Sequence, residues 1–390
     1  MRPIAGNTAR SFASLAGATT LLGIADSMAG AYLVLFASDH AHLTPTQVGV
    51  FISAPAAGGI VVGALAGRRF DRRPAKGYAI AAAALGALGF VLLTTTTSVP
   101  LLILIAITLV AAGQAAFPQL FALARVVLGN GSAGRRSAPL LRSGWSLAWA
   151  LGPLAGAALL PYIGFTGLLW AAAAILALAA LSAATAPAPP PIRTEDEPTR
   201  SRTAPPLLVL SAVLFFLAMY AGSVALPYYV TRGLHEPDTS VGLLYSACAA
   251  VEVFAALVLA GLPQRLSQRA LITAAMGALA AYFVVTVLAD DMTLLLLGQI
   301  ARGIAIAVFG AAGIRYFQDL MHPATGRATT LFANAGAAGS LLAGVLAGLS
   351  VQHWGYTATL ALCGVAAVAG AAAFWLATRH VHAQILVASR

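Results

Sequence analysis

The chain has very few charged residues, and this shortage excludes most soluble folds. Only 9% of its 390 residues are Asp, Glu, Lys or Arg, whereas 60% are hydrophobic. Soluble domains contain about 25% charged residues. The composition therefore predicts a membrane protein, whose length is best counted in spans of about 20 apolar residues.

Cysteine is also scarce, and the two cysteines, Cys248 and Cys363, each lie inside an apolar run. The sequence has no CxxC or HExxH spacing and no Gly-Lys-Ser/Thr of a phosphate-binding loop. We therefore predict no disulfide framework, no metal site, no cofactor and no enzymatic activity.

Apolar runs occupy most of the chain and are separated by short polar, glycine or proline breaks. They fall near residues 12–38, 47–66, 77–97, 100–128, 138–161, 164–186, 206–231, 239–262, 269–289, 293–321, 326–351 and 355–378. We predict an all-α membrane protein with twelve transmembrane helices. The first run is interpreted as a retained span, because the core of a signal peptide has only about 7 to 15 residues.

Basic residues are divided unequally between the two sets of loops. If the N-terminus is cytoplasmic, the cytoplasmic loops and helix ends collect nearly all Lys and Arg, and the opposite loops collect Arg232. Cytoplasmic loops usually carry this excess, so we expect both termini in the cytoplasm of a bacterial inner membrane. Topology and anionic lipid then account for the net charge of +10 without nucleic acid.

A polar stretch rich in proline and mixed charge divides the predicted helices into two sets of six. We predict an N-terminal six-helix bundle over 1–186, a cytoplasmic linker over 187–206 and a C-terminal six-helix bundle over 207–390.

Two short patterns recur in corresponding loops of these halves. Gly164-Phe165-Thr166 is echoed by Gly355-Tyr356-Thr357 at an offset of 191, and Gly67-x3-Asp71 by Gly261-x3-Arg265 at an offset of 194. Nearly equal offsets indicate a parallel duplication of the kind found in major facilitator transporters.

Four blocks spaced along the chain carry a more specific family pattern. They are Pro118-Gln-Leu-Phe-Ala-Leu-Ala-Arg125, Ser146-Leu-Ala-Trp-Ala-Leu-Gly-Pro153, Phe317-Gln-Asp-Leu-Met321 and Ala328-Thr-Thr-Leu-Phe-Ala-Asn334. In these blocks the chain resembles the bacterial sugar efflux transporter (Set) family of the major facilitator superfamily. The resemblance implies the major facilitator fold and export of small sugars or glycosides in exchange for protons.

Two carboxylates, Asp26 and Glu252, lie near the middle of predicted helices one and eight. A charge at the bilayer centre costs about 2.5 to 3.5 kcal/mol on insertion scales, so such groups usually have a function. We predict both as proton-coupling residues, with structural hydrogen bonding between helices as the alternative. Glu252 also matches a family glutamate in the pattern Ala249-Ala-Val-Glu252.

Arg142, Trp145 and Trp149 are spaced at i, i+3 and i+7, which places them on one helix face. Aromatic rings can stack on the apolar side of a sugar, and a guanidinium can donate paired hydrogen bonds to its hydroxyls. We predict a substrate-binding face here. The alternatives are a cytoplasmic helix end for Arg142 and packing or an interfacial belt for the tryptophans.

The remaining candidates are polar or small residues within the predicted helices and loops. The amides Gln114, Gln299 and Asn334 are predicted to line the substrate cavity, and Arg302 to be a second buried cation. The predicted gating residues are Gly67, Asp71, Arg72, Gly152, Pro153, Gly156, Gln119 and Gln318.

These features predict a secondary active exporter of small sugars or glycosides, coupled to protons and working by alternating access. Its expected partners are the small-molecule substrate, protons and the lipid bilayer, and we expect a monomer. A multidrug/proton antiporter of the same fold is the nearest alternative, since Asp26 and the Gly152-Pro153 segment would suit it. A membrane receptor that kept the fold without transport is the further alternative.

Overall fold

A computed structural model describes residues 3–128, 132–189, 204–261 and 266–388, and all regular elements in these ranges are helices. Two long helices are each broken at a glycine and are counted as pairs. The bounds are α1 Pro3–Gly30, α2 Pro45–Arg72, α3 Gly77–Leu93, α4 Val99–Leu128, α5 132–163, α6 165–184, α7 Pro206–Gly233, α8 Thr239–Gly261, α9 Gln268–Leu288, α10 Met292–Leu320, α11 325–354 and α12 356–388.

Nine helices within the described ranges are long and apolar enough to cross a membrane. Two of them, Leu140–Ala184 and Thr325–Arg379, contain the glycine breaks and therefore supply two spans each. The 17-residue apolar helix α3 supplies one more. The prediction of an all-α protein with twelve transmembrane helices is therefore confirmed.

Several helices are longer than the apolar runs that predicted them. α1 begins at Pro3 rather than near residue 12, and α2 ends at Arg72 rather than near residue 66. Hydropathy marks only the part of a helix that suits hydrocarbon, whereas backbone hydrogen bonding continues into the polar ends.

Gly164 and Gly355 end α5 and α11 in the same way. Their φ angles are 62° and 82°, in the left-handed region that residues with a β-carbon rarely adopt. Each glycine is followed by an aromatic residue and a threonine. The repeated sequence pattern therefore corresponds to a repeated backbone turn. The second predicted repeat includes Arg265, which lies outside the described residues.

A second pair of similar turns occurs in the chain, one after α1 and the other at the end of α7. Five-residue π-helical turns occur at Phe36–His40 and Tyr229–Gly233, and each precedes a histidine with positive φ: 57° at His42 and 55° at His235. The chain then enters α2 and α8. These two segments lie 193 residues apart, which agrees with the offsets of the sequence repeats.

The chain forms two compact units. The first unit comprises Met1–Asp196 with Asp238–Ser246, and the second comprises Glu197–Pro237 with Ala247–Arg390. The first turns of α8 thus belong to the first unit. The predicted division into two six-helix bundles joined by a linker over 187–206 stays a prediction. Residues 190–203 of that linker lie outside the described ranges.

The central packing within each unit is also repeated. In the first unit α1 packs along α5 and α6, and Ser182 of α6 donates from Oγ to the Ser14 carbonyl oxygen at 2.8 Å. In the second unit α7 packs along α11 and α12. A β-carbon at Gly339 of α11 would lie 2.6 Å from Phe216 Cβ, so the glycine permits that close approach.

Lys76 fixes the end of α6 in the first unit. Its Nζ donates to the carbonyl oxygens of Ala184 at 2.6 Å and Ala186 at 2.8 Å. The last carbonyl groups of a helix have no partner within the helix, and a lysine can satisfy them. The loop before α3 is thereby tied to the last helix of the unit.

Candidate functional site

Four aromatic side chains of α4 and α5 meet in the first unit. The ring centroid of Phe117 lies 4.1 Å from that of Trp145 and 4.6 Å from that of Phe121. Trp149 follows one turn later, with its centroid 6.2 Å from that of Trp145. We call Phe117, Phe121, Trp145 and Trp149 the aromatic cluster.

Gly23 of α1 allows Trp145 to take this position. A β-carbon at Gly23 would lie 3.1 Å from Trp145 Cε3 and 2.7 Å from Ala148 Cβ, so its absence lets α1 approach α5. Ser27, one turn further along α1, donates from Oγ to the Ala148 carbonyl oxygen at 3.1 Å. Trp145 therefore contacts both α1 and Phe117, whereas Trp149 remains 42% exposed.

Asp26 is a half-buried residue on the turn of α1 that contacts α5. It lies between Gly23 and Ser27, the two residues that make those contacts. Asp26 therefore belongs to the turn of α1 that meets α5 at Trp145 and Ala148.

Arg142, predicted to bind substrate as a cation inside the bundle, has an exposed side chain on α5, and its predicted role stays a prediction. Trp145 is half-buried and Trp149 is exposed on the same helix. The i, i+3, i+7 spacing identifies a shared face but says nothing of how deeply each position is covered by neighbouring helices.

Gly152 and Gly156 are positions where α1 touches α5. A β-carbon at Gly152 would collide with Ser27 Oγ and lie 2.9 Å from the Ile24 carbonyl oxygen. At Gly156 it would lie 2.6 Å from Tyr32 Cε2. The helix continues through Pro153 and breaks only at Gly164. The segment is therefore a close helix contact, and the structure shows no helix break at Pro153.

Tyr32 links this contact to the start of α8 within the first unit. Its hydroxyl donates to the Pro153 carbonyl oxygen at 3.4 Å, and its ring is fully buried. A β-carbon at Gly242 would collide with the same hydroxyl. Only glycine leaves room for the tyrosine at this position, a constraint that the sequence did not reveal.

Two carboxylates of the first unit lie outside the membrane spans. Partial burial raises the pKa of Asp238 above its ordinary value of 3.8, and the negative charge of Asp39 raises it further. Asp39 accepts a hydrogen bond from Ser38 Oγ at 2.8 Å.

A second cluster lies in the second unit around Arg302. Its Nη2 donates to Ser223 Oγ at 2.6 Å and its Nη1 to Gln299 Oε1 at 3.4 Å. The guanidinium carbon lies 5.6 Å from the centre of the Tyr282 ring. Arg302 is 4% exposed, and Gln299 is completely buried. We call Ser223, Tyr282, Gln299 and Arg302 the arginine cluster.

Glu252 of α8 lies close to this cluster. Gly303, next to Arg302, packs against α8: its β-carbon would lie 2.6 Å from the Cys248 carbonyl oxygen and 2.8 Å from Val251 Cβ. Glu252 directly follows Val251 and stands one turn after Cys248 on α8. The structure thus brings together Glu252, Gln299 and Arg302, which sequence analysis had assigned to three separate roles.

The other predicted amides are not members of either cluster. Gln114 is exposed, and Gln119 is buried with its Oε1 lacking a hydrogen-bond partner among the described residues. Gln318 donates from Nε2 to Thr329 Oγ1 at 2.9 Å. Asn334 is exposed and lines a cavity of about 530 Å³ in the second unit with Arg327.

The predicted gating loop after α2 is described only in part. A β-carbon at Gly67 would meet no atom within 4 Å, and Arg72 is exposed in the last turn of α2. The side chain of Asp71 lies outside the described residues, so its predicted gating role stays a prediction. No group of three or more His, Cys, Asp or Glu that could hold a metal occurs in the described part of the chain.

Sequence analysis missed Phe117, Ser223 and Tyr282. Phe117 precedes the family block at Pro118 by one residue, which is a usable signal. Ser223 and Tyr282 carry none, because their importance depends on α7 and α9 packing beside α10 and not on any local pattern.

The class of protein follows from this architecture and from known folds. The family model described as Major Facilitator Superfamily matches residues 15–289 and 208–387. The solved nucleoside transporter NupG superposes with a TM-score of 0.76 at 15% identity, over 95% of this chain and 99% of that chain. A POT family transporter in complex with 5-aminolevulinic acid gives 0.77 at 12% identity, over 95% and 96%. The protein is a multi-pass membrane transporter, not an enzyme.

Curated relatives define its family more closely. A Deinococcus radiodurans protein named a sugar efflux transporter is 35% identical over 379 residues, or 93% of this chain and 96% of that protein. Sugar efflux transporter A of Dickeya chrysanthemi is 32% identical over 363 residues, or 90% and 91%. The chain belongs to the sugar efflux transporter family of the Major Facilitator Superfamily. The resemblance noted in the four sequence blocks is thereby confirmed.

Proposed function

We propose that the protein exports small sugars or glycosides from the cytoplasm in exchange for protons, by alternating access of its two halves. The observation that supports it most is the long match to relatives named sugar efflux transporters. The aromatic cluster supports the same conclusion, because it offers an accessible ring in Trp149 next to a half-buried one in Trp145.

The sugar would contact the aromatic cluster through its apolar face. Aromatic pairs contribute about 0.5 to 1.5 kcal/mol beyond the area they bury, and we expect a similar gain for a sugar on Trp149. Arg142, exposed on the same helix, is the proposed donor to sugar hydroxyls. Gln114 and Asn334, both exposed, are further proposed donors.

Protons would be exchanged by Asp26 in the first unit and Glu252 in the second. Both are half-buried in helices that cross the membrane. An intramembrane carboxylate is expensive when ionised, so it readily alternates between charged and neutral forms as its access to water changes.

Counterflow in proteoliposomes tests the sugar assignment. Vesicles loaded with an unlabelled sugar should take up the same labelled sugar faster than protein-free vesicles, for at least one member of a panel of hexoses and disaccharides. Trp354→Ala, at the exposed end of α11, controls for loss of a tryptophan outside the cluster. Absence of exchange across the whole panel would overturn the sugar assignment.

A multidrug/proton antiporter is the second candidate. Asp26 favours it, because it lies on the turn of α1 that packs against Trp145, and aromatic faces and a carboxylate also bind apolar cations. This function predicts drug resistance in a pump-deficient host that is lost in Asp26→Asn at equal expression. Resistance that persists in the variant, or none at all, contradicts it.

We also propose a bacterial inner-membrane location with both termini in the cytoplasm. The one-sided distribution of Lys and Arg supports this orientation. Protease or thiol-reagent access to tags at each terminus, in right-side-out and inverted vesicles, measures it directly.

A further inference from the structure

We infer that Arg302 is the positioning residue for the proton site Glu252: its guanidinium is the fixed counter-charge that sets when Glu252 gains and loses its proton. The inference rests on the proposed proton exchange and goes further, because it assigns to Arg302 control over the pH at which exchange occurs.

Facing residues on two helices support the pairing. On α8, Cys248, Val251 and Glu252 have the i, i+3, i+4 spacing of one face, and on α10 Gln299, Arg302 and Gly303 have the same spacing. The close contact of Gly303 with Cys248 and Val251 shows that these two faces meet. Arg302 and Glu252 are each adjacent in sequence to residues of that contact.

The guanidinium is held in place by neutral groups. Ser223 Oγ and Gln299 Oε1 accept two of its hydrogen bonds, and the Tyr282 ring faces its cation. Gln299 is itself fixed by donating from Nε2 to the Leu295 carbonyl oxygen at 3.3 Å. Arg302 therefore keeps polar contacts whether or not Glu252 carries a charge, as a fixed counter-charge requires.

Two other described titratable side chains border this pair. They are the Cys248 thiol on α8 and the Tyr282 phenol on α9. From α7 the facing group is the neutral hydroxyl of Ser223. A buried cation requires a compensating charge or a full set of hydrogen bonds, and Glu252 is the carboxylate nearest to the α8–α10 contact in sequence.

The pH profile of transport tests the assignment. A nearby cation favours an ionised carboxylate, so its removal moves the midpoint of pH-dependent efflux to more alkaline pH, by about one unit. We expect this shift in Arg302→Gln and a midpoint close to wild type in Arg302→Lys. Arg315→Gln, an exposed arginine of the same helix, is the matched control. An unchanged midpoint in Arg302→Gln, with activity lowered or not, overturns the inference.

A double-mutant cycle tests the pairing without any sugar. If the charges interact, Arg302→Gln and Glu252→Gln each leave a buried charge uncompensated, and the double variant should unfold at a higher temperature than either single one. Additive losses would contradict the pairing. Because the cycle needs no substrate, a protein that moves no sugar but shows coupling would overturn the proposed function and preserve the pairing. If Arg302→Gln fails to fold, recovery in the double variant still supports the pair.

Discussion

The two units of this transporter place their candidate functional groups at different depths. In the first, Trp149 of the aromatic cluster is 42% exposed, and Trp145 and Asp26 are half-buried. In the second, Arg302 is 4% exposed and Gln299 is fully buried, so the charge is enclosed and held by neutral partners. Accessible rings suit contact with a ligand, whereas an enclosed charge suits control of a neighbouring proton. Units built on one repeated pattern of turns thus hold different candidate groups.

Neutralising Glu252 should have the largest effect on transport of the variants considered. Glu252→Gln keeps the size and hydrogen bonding of the side chain but cannot carry a proton. We expect pH-gradient-driven efflux to fall to the rate of protein-free vesicles, while counterflow continues because it needs no net proton movement. Loss of both activities in a folded variant would mean that Glu252 also binds substrate. Retention of both would mean that Glu252 does not couple transport to protons.

Adding a methyl group at the α1–α5 contact should have the next largest effect. In Gly152→Ala the new methyl group meets Ser27 Oγ and the α1 backbone, so the helices must separate. Overpacking of this kind destabilises by about 1 to 3 kcal/mol, measured as the free energy of unfolding in detergent. Gly63→Ala in α2 is the control, because no atom lies within 4 Å of that position. Equal stability of the two variants would contradict the close contact.

Removing the exposed ring of the aromatic cluster should affect substrate affinity alone. For Trp149→Ala we expect the apparent KM for sugar to rise about 10-fold, which corresponds to about 1.4 kcal/mol of lost stacking. The pH midpoint of efflux should stay unchanged. Trp354→Ala should leave both values at wild type. A shift of the pH midpoint in Trp149→Ala would mean that the two units do not divide these roles.

The smallest expected effect lies outside the membrane spans, at Asp39. The pKa of Asp238 is raised by burial and by the charge of Asp39, so ionisation of Asp238 destabilises the fold as pH rises above the ordinary value of 3.8. Asp39→Asn removes the repulsion and keeps an acceptor for Ser38. It should therefore gain about 0.5 kcal/mol at pH 7.

That gain should disappear as the pH falls through 3.8, because Asp238 is then protonated in both folded and unfolded protein. It should also shrink at high salt, which screens exposed charges. Thermal unfolding at pH 7 and pH 3.5, with and without added salt, measures both effects. A gain independent of pH and salt would point to a cause other than charge repulsion.

The fold could be predicted from the sequence because its signals are local. Apolar runs define the spans, and the repeated Gly164 and Gly355 patterns predicted turns that the backbone shows with positive φ. Helix ends were less predictable, since α1 and α2 continue past their apolar parts into polar residues. Hydropathy measures preference for hydrocarbon and does not report backbone hydrogen bonding.

The candidate sites could be predicted only one residue at a time. Arg302, Gln299 and Glu252 were each identified as polar residues in apolar runs, but their proximity depends on the contact of α8 with α10 at Gly303. Tyr32 and Gly242 were missed for the same reason, because a buried tyrosine against a glycine has no sequence pattern of its own. Arg142 was identified by its helical spacing with Trp145 and Trp149, which gives direction and not depth, and its contact with substrate stays a prediction.

Transport measured in both modes for both variants tests the central claim most directly. Counterflow and pH-gradient-driven efflux of one labelled sugar are recorded for wild type, Trp149→Ala and Glu252→Gln across a range of sugar concentrations and pH. A division of roles predicts that Trp149→Ala changes only the concentration dependence and Glu252→Gln only the response to pH. If either variant changes both dependences to the same degree, sugar and proton share one site and the account of two specialised units is wrong.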